Sequence, residues 1–201
     1  MPKLLIATRN KGKIAEIAER LRGTGIEALG LEDVGCDTDV EESGETFEAN
    51  AVIKAREYAR ATGHVTLADD SGLEVTALGG RPGVQSARYG GDAGYDEKMR
   101  MLLGEAAASG SPDRGARFVC VMAAADAGGE ILLTAEGECR GRLADAPRGS
   151  GGFGYDPIFI PEGFDRTFGE LPAETKAGIS HRARALEIII AKLPGLLRNL
   201  T

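Results

Sequence analysis

Adjacent acids and a distant glutamate are the residues best suited to chemistry in this sequence. Asp69 and Asp70 lie in the segment LADDSGLEV, residues 67–75, and Glu42 lies in DVEESGETF. Magnesium is usually held by one or two carboxylates together with substrate phosphates, and Asp70 with Glu42 would suit it. A carboxylate beside a metal can also position or deprotonate a water molecule. Asp, Ser and Gly also favour turns, so 69–72 could instead be a simple turn.

The segment ATRNKGK, residues 7–13, could bind an anion. It ends a predicted strand and leads into a predicted helix, and a helix N-terminus offers free backbone N–H groups and a positive dipole end. Side chains of Thr8, Asn10 and Lys13, with Gly12, would complete a phosphate cradle. The segment lacks the P-loop pattern, and an ordinary strand-to-helix turn is the alternative. Further along, Lys54 falls one helical turn after Asn50, so both share a helix face.

Two later segments carry groups that could hold a flat ring. GSGGFGYDPIF, residues 149–159, contains a formal G-x-G-x-x-G, but no strand precedes it and no helix follows. A flexible loop could instead present Phe153 for stacking and Asp156 as an acceptor, or could be a glycine-rich turn. In ETKAGISHRARAL the donors Lys176, His181 and Arg182 collect near a helix start, either to read oxygen acceptors or as solvated charge.

Composition excludes several classes of protein. The chain has 201 residues, 42% of them apolar, which suits one domain or two closely joined lobes. A net charge of -7 argues against a broad nucleic-acid surface. Cys36, Cys120 and Cys139 are scattered, which favours buried reduced thiols over a disulfide framework or zinc site. No long apolar run or signal segment is seen, so we expect a cytoplasmic protein with no membrane partner.

Apolar spacing predicts the elements that must position these groups. The predicted strands are 3–8, 64–69, 116–126 and 130–143, the last two joined as a hairpin through 127–129. The predicted helices are 13–23, 45–62, 95–108 and one that Ser180 caps and Pro194 ends or kinks. The expected product is an α/β fold, a mixed sheet flanked by helices.

Each of these segments is a weak indicator of function by itself, but their order along the chain is specific. ATRNKGK, EESGETFEANAVIKA, LADDSGLEV, GVQSARYGG, GGFGYDPIF and SHRARAL together resemble the inosine triphosphate pyrophosphatase family, the house-cleaning dITP/XTP pyrophosphatases, from residue 4 to about 190. The resemblance implies a single domain, 1–201, with an elongated mixed sheet and two lobes flanking a central cleft. It also implies a homodimer that uses Mg²⁺ to hydrolyse purine nucleoside triphosphates with a 6-oxo base to the monophosphate and pyrophosphate.

The resemblance also implies roles for individual residues. Glu42 and Asp70 match the metal carboxylates, with Asp70 also readying water and Lys54 acting on the phosphate side; the neighbouring Glu41 stays an alternative to Glu42. The implied substrate contacts are Thr8, Arg9, Asn10, Lys11, Gly12, Lys13, Ser71, Phe153, Gly154, Tyr155, Asp156, Lys176, His181 and Arg182. Thr175 and Met99 depart from the family pattern, away from the proposed chemistry.

Two other functions remain open from the sequence. One is pyrophosphohydrolysis of modified pyrimidine nucleotides, as in the related Maf-type family, and the other is nucleotide sensing without catalysis. A nucleotide panel separates the first, and metal-independent binding without pyrophosphate release would favour the second. The sequence leaves the role of Asp69 open, because strand alternation sends adjacent side chains to opposite faces unless the chain kinks.

Overall fold

The computed structural model describes residues 2–198, the side chain of Arg198 excepted, as an α/β fold. The strands are β1 (Lys3–Ile6), β2 (Glu27–Gly30), β3 (Thr66–Val75), β4 (Gly115–Ala125), β5 (Ile131–Leu143) and β6 (Phe159–Pro161). The helices are α1 (Lys11–Leu21), α2 (Phe47–Thr62), α3 (Tyr95–Ala108), α4 (Ala173–Ile179) and α5 (His181–Arg198), with short 3₁₀ turns at Thr76–Leu78, Gly83–Gln85 and Asp156–Ile158. None of the described helices is long and apolar enough to cross a membrane.

The strands form one six-stranded sheet in the order β2-β1-β3-β4-β5-β6. β1 is parallel to β2 and β3, whereas β5 is antiparallel to β6, so the sheet is mixed as expected. Leu5 pairs with Thr66 and Ile6 with Leu67, which sets the register of β3 at the end that leads to the two acids. The expected fold class, a mixed sheet flanked by helices, is confirmed.

By its internal contacts the chain forms two compact units. Unit 1 comprises Met1–Asp70, Cys120–Gly137 and Arg182–Thr201, and unit 2 comprises Ser71–Val119 and Glu138–His181. Each unit has its own apolar core. In unit 1, Ile17 and Leu21 of α1 pack with Leu186 and Ile189 of α5. In unit 2, Leu102 of α3 packs with Phe159 and Phe168. The single two-lobed domain with a cleft stays a prediction.

Helix ends follow local capping chemistry. The Asn10 side chain accepts hydrogen bonds from the backbone N–H groups of Gly12 and Lys13 and so begins α1. The Thr46 side chain accepts from the N–H of Ala49 and begins α2, which ends at Gly63 with a left-handed φ of 67°. α2 buries its predicted apolar face, including Phe47. Asn50 and Lys54 of the same helix are buried as well.

Several predicted boundaries are wrong. β3 does not end at Asp69 but continues to Val75, so the acids lie within a strand. The last helix, α5, begins at His181, directly after Ser180 as predicted, but the short helix α4 that precedes Ser180 was not predicted. Pro194 lies inside α5 and does not end it, and the short strands β2 and β6 were not predicted. All three cysteines are buried free thiols, as expected.

Candidate functional site

The side chains of the two adjacent acids have different partners because β3 is extended through both residues. Asp69 Oδ2 lies 2.8 Å from Lys13 Nζ, whereas Asp70 Oδ2 accepts from Asn50 Nδ2 at 3.1 Å. Successive strand residues point to opposite faces, which explains the separate partners. The simple-turn interpretation of 69–72 is therefore wrong.

Asp70 belongs to a group that we call the carboxylate cluster, defined by Glu42, Asn50, Lys54 and Asp70. Lys54 Nζ lies 2.5 Å from Glu42 Oε1 and 3.6 Å from Asp70 Oδ1. Asn50 and Lys54 reach these acids from one face of α2, as their spacing predicts. Glu42 pairs with Lys54, whereas its neighbour Glu41 is exposed.

The pKa values of the adjacent acids move in opposite directions. Burial raises the pKa of Asp70, and the negative charge of Glu42 adds to this while Lys54 opposes it. Burial alone would also raise the pKa of Asp69, but the charges of Lys13, Arg182 and Lys54 more than offset it and hold that pKa well below its usual range. Environments that separate two carboxyl groups in this way are typical of acid–base sites.

Lys54 is held in its charged form. Burial would lower the pKa of Lys54, but the charges of Asp69 and Asp70, together with the hydrogen bond to Glu42, raise it overall. An ammonium group that faces carboxylates in this way neutralises part of their mutual repulsion. Lys54 therefore helps to hold Glu42 and Asp70 close together.

Asp69 takes part in an ion network with residues of α1 and α5. Besides Lys13, its Oδ2 lies 3.6 Å from Arg182 Nε, and Arg182 Nη1 lies 2.5 Å from Glu16 Oε2. Glu16 and Lys13 both belong to α1, so Asp69 and Arg182 attach this helix to β3 and α5. Glu16 was not anticipated, and only its position one turn from Lys13 could have suggested it.

The predicted phosphate loop is ordered by its own side chains. Asn10 Oδ1 accepts from the N–H groups of Gly12 and Lys13, and Thr8 Oγ1 accepts from the N–H of Asn10. The N–H groups expected to bind an anion are therefore occupied by the cap. Anion binding here would fall mainly to side-chain donors, including Lys13 and the exposed Lys11.

Arg9, another expected substrate contact, binds protein backbone in this structure. Its Nη2 donates to the carbonyl of Thr38 at 3.1 Å and to that of Cys36 at 3.3 Å. These carbonyls belong to the segment that leads to Glu42. Arg9 therefore links the loop after β1 to the segment that precedes Glu42.

The donor set of the carboxylate cluster fits a magnesium ion that also binds substrate. Within residues 2–198, no group of three or more His, Cys, Asp and Glu side chains is arranged to hold a metal ion by itself. Glu42 and Asp70 offer hard oxygen ligands, and magnesium commonly uses one or two carboxylates and takes its other ligands from phosphates and water. Glu42 and Asp70 are therefore the residues that would hold such an ion.

A second group, the aromatic cluster, lies in unit 2 and is defined by Phe153, Asp156, Phe168 and Lys176. Lys176 Nζ lies 2.6 Å from Asp156 Oδ2 and 4.5 Å from the centroid of the Phe153 ring. The same Asp156 oxygen accepts from the backbone N–H of Phe153 at 2.8 Å. Asp156 thus fixes both the ring and the ammonium group that covers it.

Glycines of this loop are required by close packing, which corrects the expectation of a flexible loop. A Cβ on Gly152 would collide with the Asp156 carboxylate, and one on Gly149 would collide with the backbone of Gly169. The N–H of Gly151 donates to the carbonyl of Gly169 at 2.8 Å. The loop is therefore held against 167–170, and Phe153 is presented by an ordered segment. The neighbouring Gly154 approaches the ring of Tyr95.

The remaining predicted substrate contacts have mixed surroundings. Tyr155 is buried, donates its hydroxyl to the carbonyl of Ser86 at 2.9 Å and packs edge-on against Tyr95, which indicates a core position. The His181 ring stacks on Phe118 with centroids 4.8 Å apart. Arg182 is 2% exposed and pairs with acids of unit 1. Ser71 is half-buried in β3, directly after Asp70.

These features define an α/β protein with one group of buried acids around Lys54 and a second group in which Lys176 pairs with Asp156 beside Phe153. A family model described as the Ham1 family matches residues 4–192. The dITP/XTP pyrophosphatase of Bacillus licheniformis is 44% identical over 194 residues, covering 96% of this chain and 98% of that protein. The dITP/XTP pyrophosphatase of Gloeobacter violaceus is 48% identical over 188 residues, covering 94% and 92%.

Solved structures agree with these sequence relatives. A HAM1 protein from Coxiella burnetii superposes with a TM-score of 0.90 at 40% identity, covering 97% of this chain and all of that chain (100%). The Staphylococcus aureus Ham1 protein gives a TM-score of 0.85 at 38% identity, covering 96% and 99%. The chain belongs to the Ham1 family, and the family membership expected from the sequence is confirmed.

Proposed function

We propose that this chain is a nucleoside triphosphate pyrophosphohydrolase that converts ITP, dITP and XTP to the monophosphate and pyrophosphate with the help of Mg²⁺. Relatives that match nearly its whole length are named dITP/XTP pyrophosphatase, which supports this class of enzyme. Such an activity removes non-standard purine nucleotides from the nucleotide pool.

The observation that carries the proposal is the Asp70 carboxylate, with its raised pKa and its neighbours Glu42 and Lys54. A base whose pKa is raised accepts a proton more readily than an ordinary carboxylate, provided that it is ionised at the working pH. The adjacent Asp69, with its lowered pKa, stays ionised and pairs with cations. One acid is thus suited to accept a proton and the other to hold charge in place.

In the proposed reaction, individual residues have distinct roles. Asp70 accepts a proton from the water that attacks the α-phosphorus in line with the leaving pyrophosphate. Lys54 and Lys13 stabilise the negative charge on the phosphate oxygens, which is the main task in this class of reaction. Magnesium, held by Glu42 and Asp70, would supply positive charge for the same oxygens.

Selection of the base would depend on the aromatic cluster and on the donors that the resemblance to the family implies. Phe153 offers a ring for stacking, and Asp156 offers an acceptor for ring N–H groups. Lys176, His181 and Arg182 are the donors that would meet a 6-oxo group, whereas the 6-amino group of adenine would leave them unpaired. Each unpaired buried polar group costs about 1–3 kcal/mol, so a few mismatches reject ATP strongly.

A nucleotide panel tests the proposal. ITP, dITP, XTP, ATP, UTP and dTTP are incubated with the protein and Mg²⁺, and pyrophosphate and orthophosphate are measured separately. We expect pyrophosphate from the first three nucleotides and at least about 100-fold slower turnover of ATP. Equal turnover of ATP and ITP would refute the selectivity, orthophosphate as the first product would refute the cleavage position, and full activity with EDTA would refute the metal requirement.

We also propose a homodimer, which rests on the resemblance of the sequence to the family. Sedimentation equilibrium of the purified chain measures its mass directly, and a monomer mass at assay concentration would refute the dimer. The cytoplasmic location stays a prediction.

A further inference from the structure

Asn50 is a buried polar residue for which the proposed reaction has no role so far. It is 0% exposed, on the face of α2 that carries Lys54. Its Nδ2 donates to Asp70 Oδ2 at 3.1 Å, and its Oδ1 accepts from the backbone N–H of Gly44 at 2.8 Å. Both ends of the amide are therefore engaged, in a place where an unsatisfied polar atom would be costly.

The partners fix the orientation of the Asn50 amide. A backbone N–H can only donate and an ionised carboxylate can only accept, so the oxygen must face Gly44 and the nitrogen must face Asp70. A rotation of the amide by 180° would break both hydrogen bonds. Asn50 therefore links Asp70 to the segment of Glu42, which lies two residues before Gly44, in one arrangement only.

Gly44 leaves just enough space for this link. A Cβ at this position would lie 2.7 Å from Asn50 Oδ1 and 2.7 Å from Ala49 Cβ. Its φ lies outside the left-handed region, so a side chain is excluded by contact and not by backbone conformation. The close approach brings the Gly44 N–H onto the amide oxygen.

Asn50 and Lys54 both reach Asp70 from successive turns of α2. Lys54 Nζ lies 2.5 Å from Glu42 Oε1 and forms a longer ion pair, at 3.6 Å, with Asp70 Oδ1. Asn50 holds the other Asp70 oxygen and the Glu42 segment without adding charge. The amide can thus maintain the spacing of the acids when Lys54 turns towards a phosphate.

We infer that Asn50 is a positioning residue for the reaction: its amide anchors Asp70 Oδ2 and the Glu42 segment, which assigns Asp70 Oδ1 to the chemistry. The inference rests on the proposed function. Hydrogen-bond partners that orient metal carboxylates typically affect metal affinity or activity by about 10- to 100-fold, so the effect of Asn50 should be measurable.

The first test uses Asn50→Asp, which keeps the shape and the acceptor for Gly44 but replaces the donor to Asp70 by a negatively charged oxygen. We expect kcat with ITP to fall by about 10- to 100-fold and the Mg²⁺ concentration for half-maximal rate to change. The Km for ITP should change much less, since the amide does not contact the base. A folded variant with kcat and Mg²⁺ dependence like those of the wild type would overturn the inference.

The second test breaks the link from its other end and changes no polar group. Gly44→Ala places a methyl group against Asn50 Oδ1 and should also lower kcat with a change in Mg²⁺ dependence. Gly104→Ala is the matched control, because Gly104 lies in α3 with no atom within 4 Å of a Cβ. An equal, small effect of both substitutions would overturn the inference, as would normal kinetics of Gly44→Ala.

A third measurement does not depend on activity. The other side-chain amides of the chain are Asn10, Gln85 and Asn199, so the Asn50 signal can be assigned in a ¹⁵N spectrum by its loss in Asn50→Asp. Its NH₂ protons should exchange at least about tenfold more slowly than those of the exposed Gln85, and Gly44→Ala should remove this protection. Equal exchange rates in the wild type would overturn the link itself.

The outcomes separate this inference from the proposed function. A wild-type protein that releases no pyrophosphate would refute the function, while the exchange measurement would still decide whether Asn50 is locked. An active wild type with unaffected Asn50→Asp and Gly44→Ala variants would refute only the positioning role.

Discussion

The carboxylate cluster of unit 1 and the aromatic cluster of unit 2 each contain one lysine, but the two lysines have different partners. Lys54 faces Glu42 and Asp70, so its single positive charge leaves the acids an excess of negative charge. Lys176 pairs with Asp156 and also covers the Phe153 ring. An excess of buried negative charge suits the binding of a cation, whereas a balanced pair beside a ring suits recognition of a flat polar molecule.

Burial alone does not determine the protonation behaviour of the acids in these clusters. Asp69 and Asp156 are both 2% exposed, and both are paired with a lysine at short distance. Asp70 is nearly as buried, and burial, with the nearby charge of Glu42, raises its pKa, whereas at Asp69 the charges of Lys13, Arg182 and Lys54 outweigh burial. The cations beside each acid, together with its burial, therefore set the direction in which its pKa moves.

The largest effect is expected at the carboxylate cluster. Asp70→Asn should lower kcat for ITP by at least about 1,000-fold, since it removes both the proton acceptor and a metal ligand. The fold should survive, because the amide has nearly the same shape, and a urea titration checks this. Asp96→Asn on the exposed first turn of α3 is the control. A folded and active Asp70→Asn would remove the assigned difference between the two clusters.

The next effect concerns stability and separates Asp69 from its neighbour. Asp69→Asn should lower the free energy of unfolding by about 3 kcal/mol at pH 7, because it removes the carboxylate charge that faces Lys13 and Arg182 and leaves Arg182 with Glu16 as its acidic partner. The pKa of Asp69 is lowered in the folded state, so its contribution is complete above the unfolded value and is lost as the pH falls.

Urea titrations of wild type and Asp69→Asn from pH 7 to pH 3 measure this dependence. The difference in free energy of unfolding should be largest at pH 7 and should shrink below about pH 4. A difference that stays constant over this range would show that the charge of Asp69 is not what stabilises the fold.

A smaller effect is expected at the aromatic cluster. Phe153→Ala should raise the Km for ITP by about tenfold while kcat changes little, since base stacking is worth about 1–3 kcal/mol. Met101→Ala, at an exposed apolar position of α3, is the control. A loss of kcat with unchanged Km would show that Phe153 acts in the chemical step. It would refute the assignment of base binding to the aromatic cluster and hydrolysis to the carboxylate cluster.

The smallest effect gives the baseline for charge pairs outside both clusters. Arg100 and Glu97 form an exposed pair on α3, with side chains 66% and 47% exposed. Arg100→Gln should change the free energy of unfolding by less than about 0.5 kcal/mol and leave turnover unchanged. A larger change, measured by urea titration, would mean that pairing matters more than burial in this protein.

Local patterns predicted the elements whose signals do not depend on partners. α3 is observed over the predicted residues 95–108, and β4 and β5 lie close to their predicted ranges because their turn, at 127–129, is rich in glycine. The edge strand β2 was missed because four residues carry no periodic signal and depend on pairing with β1. β3 was cut short because Asp, Ser and Gly resemble a turn, although neighbouring strands hold the chain extended.

The candidate site shows the same division. The i, i+4 spacing placed Asn50 and Lys54 together on α2, and the structure confirms that both reach Asp70. The spacing could not show that Arg182 turns to Glu16 and Asp69 while His181 stacks on Phe118. Neighbours in sequence separate here because the chain passes from one unit to the other between them.

By itself the sequence determined which groups are available, and that Asp69 and Asp70 must point to opposite faces if the chain is extended. Only the tertiary structure decided that the chain is extended there, that Lys13 and Arg182 meet Asp69, and that Asn50, Lys54 and Glu42 surround Asp70. The physical reason is that alternation is a local property of the backbone, whereas a pKa depends on burial and on charges brought from distant parts of the chain.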